Sequence, residues 1–311
     1  MEPNLTGYLV FMGCSAAACI LWFFLSCRRQ TGARKAAAVS GLTLALGVAL
    51  GVLCSRAAWL LMRFNAIIVK DILTLRYYEL SYFGGVAGVV LAVWLAAKIT
   101  KEPSRKILNA FAPMGAFMAA MARFAEGFLG LYGVGYLEEV FDEGLFFPLT
   151  MEVAWDEEYS EFYLAVFFLS GLCCLGAMVF ALARGKDRNR LARTMFYICL
   201  PQVLLEGLRM QSINWLFVRV EMLLCFLFCE GTLVYYTFRA GPKKIRSWVP
   251  AITGLLVCGV VIVGEFALDG KIMWGEERIN FWLIYGVIAL CLAAMAFMEH
   301  LGNKRAAAPA R

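Results

Sequence analysis

Apolar runs of about 20 residues alternate with short polar segments along almost the whole chain. Each run is long enough to cross a hydrocarbon core of roughly 30 Å as an α-helix. The pattern therefore predicts an all-α polytopic membrane protein with about nine transmembrane helices. The predicted helices cover residues 8–27, 36–61, 81–97, 107–129, 162–183, 194–210, 214–238, 248–268 and 279–301.

Composition agrees with this pattern and narrows the class of partner. Of the 311 residues, 62% are hydrophobic and only 17% are charged, whereas a soluble domain of this length would carry far more polar surface. The net charge of +6 does not indicate a nucleic-acid partner, because the basic residues lie in short loops between apolar runs.

The side of the membrane on which basic residues fall sets the orientation. Twenty of the 29 Lys and Arg residues follow the first, third, fifth, seventh and ninth predicted helices. The positive-inside rule then places the N-terminus outside and the C-terminus in the cytoplasm. The segment 129–161 has nine acidic residues and no Lys or Arg, so we expect it to be extracytoplasmic. Its acids either solvate it or form a cation or partner site.

Cysteine and histidine give no sign of a metal site. The chain has 11 cysteines, nearly all inside apolar runs, without a Cys-x-x-Cys pair, and its single histidine is His300. We therefore expect no bound metal and interpret the cysteines as small buried hydrophobic residues.

Four arginines lie inside predicted helices instead of in loops. Charge within a bilayer is costly, so such residues normally face a protein interior or a wet cavity. The predicted topology puts all four near the extracytoplasmic face, and guanidinium groups match the geometry of phosphate. The pattern predicts a site for a phospholipid headgroup; structural ion pairs or snorkelling side chains are the alternative. The four are Arg56, Arg123, Arg209 and Arg219.

Carboxylates and glycines accompany these arginines. Glu126 follows Arg123 by three residues and Glu206 precedes Arg209 by three, so each pair shares one helical face. The stretch Tyr82-Phe83-Gly84-Gly85 opens the third helix, where adjacent glycines let a backbone or a ligand approach closely and leave amide donors free. Glycine in membrane helices also serves helix packing.

Four short stretches occur in an order that matches a known family. They are Cys54-Ser55-Arg56-Ala57-Ala58, Tyr82-Phe83-Gly84-Gly85, the helix from Ala112-Pro113 to Ala122-Arg123-Phe124 with the later Phe147-Pro148, and Leu205-Glu206-Gly207-Leu208-Arg209. Over about residues 36–240 the chain resembles the prolipoprotein diacylglyceryl transferases. The resemblance implies a seven-helix transferase-like membrane core over residues 1–240. Residues 241–311 would then add two further transmembrane helices and a short cytoplasmic tail.

The resemblance also implies a reaction and its partners. The family moves a diacylglyceryl group from phosphatidylglycerol to the lipobox cysteine of a preprolipoprotein signal peptide, in the bacterial plasma membrane. It requires no metal or organic cofactor. By this resemblance Arg123 would be the main phosphate ligand, and Arg209, oriented by Glu206, a second; these three are the expected catalytic residues. Phosphatidylglycerol or another anionic phospholipid would be the lipid partner.

Further residues are expected to contact the substrate. They are Arg56, Tyr82, Gly84, Gly85, Glu126 and Arg219. Glu126 would act as a base or as the counter-ion of Arg123, and the second role is favoured. Arg219 would stand in for an arginine that the family carries at the position of Gln202.

Two departures from the family leave another function open. Phe83 stands where many members have histidine, and Gln202 where they have arginine. The alternative is therefore a non-catalytic phospholipid-binding or accessory relative. A transporter is a third possibility, because buried charges also line substrate paths, but the sequence shows no matching pair of broken helices and no internal repeat.

Overall fold

The structure is a computed structural model. It describes residues 4–63, 79–129, 136–141, 149–154, 160–185, 187–209, 214–215, 218–241, 245–268, 273–274, 277–278 and 280–307. The Phe147-Pro148 stretch quoted above lies outside the described residues. The same holds for five acids of the segment 129–161, namely Asp142, Glu143, Asp156, Glu157 and Glu158.

Helices dominate the described part of the chain. The protein is an all-α polytopic membrane protein. Eight of its helices are long and apolar enough to cross a membrane. The exception, α6, has 16 residues and rises about 24 Å, less than the roughly 30 Å of a hydrocarbon core. The helices are α1 (Leu5–Thr31), α2 (Ala33–Met62), α3 (Tyr82–Ile99), α4 (Ser104–Ala125), α5 (Val166–Ala183), α6 (Arg190–Leu205), α7 (Val220–Ala240), α8 (Ile245–Leu268) and α9 (Phe281–Ala307).

Local signals in the sequence explain several of these helix ends. Asn4 caps α1 by accepting a hydrogen bond from Gly7 N at 2.8 Å, and Ser81 caps α3 by accepting one from Gly84 N at 3.3 Å. Gly32 and Gly241 follow α1 and α7 with φ of 83° and 99°, a backbone conformation that favours glycine.

Two predicted helix starts are wrong, because strands occupy them. Predicted helix 5 was to begin at residue 162, but Ser160–Ala165 form β3, the central strand of an antiparallel sheet, and α5 begins at Val166. Predicted helix 7 was to begin at residue 214, but a hairpin precedes α7. Short apolar runs rich in aromatic residues suit strands as well as helices, so periodicity alone cannot separate them.

The strands are few and short. The sheet has the order β1 (Tyr136–Phe141), β3, β2 (Thr150–Ala154), and its β2–β3 register pairs Thr150 with Leu164 and Ala154 with Ser160. Two hairpins complete the set, β4 (Asn214–Trp215) with β5 (Val218–Arg219) and β6 (Met273–Trp274) with β7 (Glu277–Arg278). The sheet lies between α4 and α5 in the chain; β1 and β2 fall in the predicted extracytoplasmic segment 129–161, and β3 extends beyond its end.

The chain forms two compact units. Unit 1 comprises Met1–Met195 with Arg209–Gln211, and unit 2 comprises Phe196–Leu208 with Ser212–Arg311. In unit 1, α2 packs on α3, α4 packs on α5, and α1 contacts both α2 and α4; in unit 2, helices α7, α8 and α9 pack pairwise. The boundary predicted at residues 240/241 falls inside unit 2, and the transferase-like core over residues 1–240 stays a prediction.

Burial within the helices follows the expectation for a membrane protein. A core cluster of unit 1 includes Phe23 and Phe111, whose rings meet edge to face at 5.2 Å. Large apolar side chains also lie on the outside of the helices, with exposed fractions of 63% for Leu53, 69% for Leu61 and 74% for Leu290. Such an apolar exterior requires a lipid or protein covering.

Candidate functional site

The start of α3 is fixed against α2 by reciprocal hydrogen bonds. Ser81 N donates to Ser55 O at 3.1 Å, and Ser55 Oγ donates to Ser81 O at 2.6 Å. Gly84 lies against the backbone of α2, since a Cβ at this position would be only 2.5 Å from Cys54 O. These contacts fix the position of Tyr82, the first residue of α3.

Arg123, near the end of α4, is fully buried beside Tyr82. The guanidinium carbon of Arg123 lies 3.8 Å from the ring centroid of Tyr82 and 5.7 Å from that of Phe83. Tyr82 Oη donates to Ala119 O on α4 at 3.2 Å, which ties the ring to the helix that carries Arg123. A desolvated cation–π contact of this kind contributes about 2 kcal/mol.

Glu126 joins Arg123 to a second arginine. Arg123 Nη1 donates to Glu126 Oε1 at 2.8 Å, and Arg209 Nη2 donates to Glu126 Oε2 at 2.7 Å. All three side chains are buried. Tyr82, Arg123, Glu126 and Arg209 are called the two-arginine site below.

The guanidinium groups of the two-arginine site are donors of the kind that bind an anion. Two positive groups share one negative group in a water-poor environment, where electrostatic interactions are stronger than in water. Arginine presents a planar fork of donors that matches phosphate. Because each oxygen of Glu126 accepts a hydrogen bond from one guanidinium, the geometry places Glu126 as their shared counter-ion.

Arg56 has a carboxylate of its own instead of sharing Glu126. Its Nη1 donates to Glu79 Oε2 at 2.7 Å and to Glu79 O at 3.2 Å, and its guanidinium lies 4.7 Å from the ring centroid of Trp59. Sequence reasoning missed Glu79, which lies in the link before α3. The signal available was an acidic residue two positions before the Ser81 cap.

The adjacent glycines use their amides inside the fold. Gly84 N donates to Ser81 Oγ and Gly85 N donates to Ser81 O, so both amides belong to the cap of α3. The close approach at Gly84 is to α2. Contact of Gly84 and Gly85 with a substrate stays a prediction.

Arg219 and Glu206 lie in unit 2, where they contact each other. Glu206 is buried in the 3-10 turn Glu206–Leu208, and its carbonyl accepts a hydrogen bond from Arg219 Nη1 at 3.0 Å. Arg219 Nε lies 3.9 Å from Glu265 Oε2. The structure therefore gives Arg219 a carboxylate from α8 as its partner.

The two C-terminal helices also contact this turn. Tyr285 Oη of α9 donates to Gly207 O at 3.1 Å. Glu265 of α8 lies beside Gly207, since a Cβ added to Gly207 would be 3.2 Å from Glu265 Oε1. Sequence reasoning missed Glu265 and Tyr285. The signal for Glu265 was a carboxyl group inside an otherwise apolar run.

Arg193, another buried arginine of unit 1, offers a comparison. Arg193 Nη1 pairs with Asp187 Oδ2 at 2.7 Å, and the guanidinium lies 5.0 Å from the ring centroid of Phe180. The other oxygen of Asp187 accepts a hydrogen bond from Asn189 N at 2.9 Å. Phe180, Asp187 and Arg193 are called the Arg193 site below.

The Arg193 site and the two-arginine site lie at different ends of α4. Leu191 N, near Arg193, donates to Asn109 Oδ1 at 3.0 Å near the start of α4. Arg123 follows Asn109 by 14 residues on the same helix, a rise of about 21 Å.

Metal binding has no evident donor set in the part of the chain that the structure describes. No group of three or more His, Cys, Asp or Glu residues is placed there to hold a metal ion.

Comparison with known proteins adds no relative: no family model, no curated protein and no solved structure matches the chain.

Proposed function

We propose that this chain is a membrane transferase that moves a diacylglyceryl group from phosphatidylglycerol to the lipobox cysteine of preprolipoproteins. The observation that carries the proposal is that Arg123 and Arg209 share Glu126 in a buried site of a membrane protein. The motif order of the sequence supports it. On this proposal the protein lies in a bacterial plasma membrane, with its N-terminus extracytoplasmic and its C-terminus cytoplasmic.

The two-arginine site would bind the headgroup phosphate. A phosphodiester is an anion, and in a membrane the available phosphate is that of a phospholipid. Arg123 and Arg209 would each direct guanidinium donors to its oxygens, while Glu126 keeps the two arginines at a fixed separation when no lipid is bound. Tyr82 would hold the plane of the Arg123 guanidinium.

The transfer step places new negative charge on that phosphate. The sulfur of the lipobox cysteine forms a bond to the glyceryl carbon, and the carbon–oxygen bond to phosphate breaks. The phosphate oxygen keeps the electron pair, glycerol phosphate leaves, and the thiol proton is released. A fixed guanidinium donor that stabilises such charge typically contributes about 2.7–4 kcal/mol to lowering the barrier.

The thiol needs less assistance than the leaving group. A thiol with a reference pKa of about 8.5 is already ionised to a few per cent near neutral pH. Phe83 in the place of the family's histidine would therefore slow such a reaction without preventing it. Arg56, Gly84, Gly85 and Arg219 are proposed to contact the substrate, and Glu206 to support Arg209.

The test is transfer by the purified protein in phosphatidylglycerol liposomes containing a lipobox peptide. Mass spectrometry of the peptide should show the diacylglyceryl thioether with the wild-type protein and with Arg193→Ala, but not with Arg123→Ala. Absence of product from folded wild-type protein would refute the transferase, and equal product from Arg123→Ala would remove Arg123 from the mechanism.

The second candidate is a non-catalytic phospholipid-binding relative. The observation that favours it is the Phe83 ring, which is 5.7 Å from the Arg123 guanidinium and has no group that exchanges a proton. This candidate predicts that phosphatidylglycerol binds at the two-arginine site and that no thioether forms. Detection of the thioether product would exclude it.

A further inference from the structure

Glu230 places a carboxyl group in the middle of a membrane-spanning helix. It is the central residue of α7 (Val220–Ala240), with ten residues, about 15 Å, on either side. Half of a hydrocarbon core of roughly 30 Å has the same thickness, so Glu230 lies near the depth of the bilayer midplane. Its exposed fraction is 9%, so most of the residue is covered by the rest of the protein.

The carboxyl group is seated against a glycine of the neighbouring helix. A Cβ on Gly254 of α8 would collide with Glu230 Oε2, so the absence of a side chain at this position makes room for the carboxyl. Outside Glu230, the nearest atom to that Cβ would be Leu233 Cδ1 at 3.3 Å, which is apolar. Glu230 therefore occupies a notch between α7 and α8.

Glu230 differs in its partners from two other buried carboxyl groups of unit 2, Glu265 and Glu299. Glu265 faces Arg219, and Glu299 accepts hydrogen bonds from Tyr197 Oη at 3.0 Å and Tyr236 Oη at 3.2 Å. Within the part of the chain that the structure describes, Glu230 Oε2 is buried without a hydrogen-bond partner.

Two thiols are titratable neighbours of Glu230 in the part of the chain that the structure describes. Cys229 on α7 and Cys258 on α8 interact with it electrostatically, and neither is a cation. An ionised carboxylate in such a place would lack both water and a counter-ion, a costly state inside a membrane. The neutral acid fits the notch without that cost.

We propose that Glu230, with the notch at Gly254, is an exchangeable proton-binding site in the interior of the membrane. The ligand is the proton: the carboxylate takes up one proton and becomes a neutral acid, and it releases the proton when it ionises. Ionisation introduces a charge between α7 and α8, so the packing of these helices depends on the protonation of Glu230. This inference does not rest on the transferase activity.

Dicyclohexylcarbodiimide provides the test, because it modifies protonated carboxyl groups in apolar surroundings. The carboxyl O–H adds across one carbon–nitrogen double bond: an oxygen–carbon bond forms and the proton moves to nitrogen. Intact protein in liposomes is treated with the reagent, and the modified residues are identified by mass spectrometry. Glu265 and Glu299 serve as internal controls and Glu230→Gln as the matched variant.

We expect Glu230 to be labelled at least ten times more than Glu265 and Glu299. We also expect its labelling to fall as the pH rises. Equal labelling of the three would overturn the proposal, as would protection of Glu230 by Na⁺ at constant pH, which would make it a cation site. Infrared spectroscopy covers the case in which the reagent does not enter. The wild-type spectrum should contain the carbonyl band of a protonated carboxylic acid, and this band should be missing from the spectrum of Glu230→Gln. Identical spectra would refute protonation of Glu230.

Discussion

The two-arginine site and the Arg193 site use the same three kinds of group in unit 1. Each buries an arginine almost completely, pairs it with a carboxylate at 2.7–2.8 Å and places an aromatic ring near the guanidinium. They differ in how the carboxylate is used. Glu126 binds two arginines, whereas Asp187 binds Arg193 and a backbone amide.

On this difference rests our proposal of an anion site at Glu126 and of a structural ion pair at Asp187. The carboxylate of Asp187 binds Arg193 and accepts a hydrogen bond from Asn189 N, just before α6. Glu126 pairs with two guanidinium groups, and the proposed function adds a lipid phosphate as a further ligand of both. Burial of an arginine, which the two sites share, is therefore a weaker sign of function than the sharing of one carboxylate by two arginines.

The largest expected effect is the loss of the shared carboxylate. Glu126→Gln leaves two buried guanidinium groups without this ion pair, and breaking a buried pair costs about 3–5 kcal/mol. Asp187→Asn affects one guanidinium and should cost less. Reversible unfolding of both variants in detergent, with the wild type as reference, measures the free energies of unfolding. An equal loss in the two variants would contradict the proposed difference between the sites.

Replacing an arginine by lysine keeps the positive charge and removes the planar donor geometry, so it shows which of the two the site requires. Arg209→Lys keeps the positive charge but loses the planar fork, so transfer to a lipobox peptide should fall by about 10²–10³ if a phosphate is bound there. Arg193→Lys makes the same chemical change at the Arg193 site and should leave the rate within about twofold of wild type. Rates come from mass-spectrometric product formation, and similar rates for the two variants would contradict the assignment.

The glycine pair at the start of α3 tests how Tyr82 is positioned. In Gly84→Ala the new methyl group would meet Cys54 O and Ala58 Cβ, and overpacking of this kind costs about 1–3 kcal/mol. Gly85→Ala is the control, because its nearest neighbour would be 3.9 Å away and the change should stay within about 0.5 kcal/mol. Thermal unfolding in detergent measures both, and a stable Gly84→Ala protein would show that α2 and α3 can separate at no cost.

We expect the smallest effect from Tyr82→Phe, which gives Arg123 a phenylalanine ring like the one beside Arg193. Tyr82→Phe keeps the aromatic face over the guanidinium but removes the hydrogen bond to Ala119 O, which is worth about 1 kcal/mol. The melting temperature should fall slightly, and binding of phosphatidylglycerol should persist. Loss of lipid binding in this variant would assign the hydroxyl group a contact with the headgroup.

The sequence predicted helices well because apolar length is a strong signal. Predicted helices 2 and 8 begin three residues after the observed helices α2 and α8, respectively. Helix α8 ends at Leu268, as predicted. The sheet was missed, because its strands lie in a polar segment without a clear period of two. The segments 162–165 and 214–219 were assigned to helices because they adjoin longer apolar runs.

The site was only partly readable from the sequence. The pair Arg123–Glu126 follows from their spacing on one helical turn, and the structure confirms that ion pair. The contact of Arg209 with Glu126 joins residues 83 positions apart, so only the packing of the chain reveals it. Glu230 and Glu299 were missed because only carboxyl groups near the embedded arginines were considered, although any carboxyl group inside an apolar run is an equally strong signal.

Retention of phospholipid by the purified protein tests the two-arginine site most directly. Native mass spectrometry would compare bound phosphatidylglycerol with bound phosphatidylcholine for the wild type, Arg123→Lys, Arg209→Lys and Arg193→Lys. We expect the wild type and Arg193→Lys to retain phosphatidylglycerol in preference, and the Arg123 and Arg209 variants to lose that preference. Equal retention by all four proteins would contradict an anion site at Glu126.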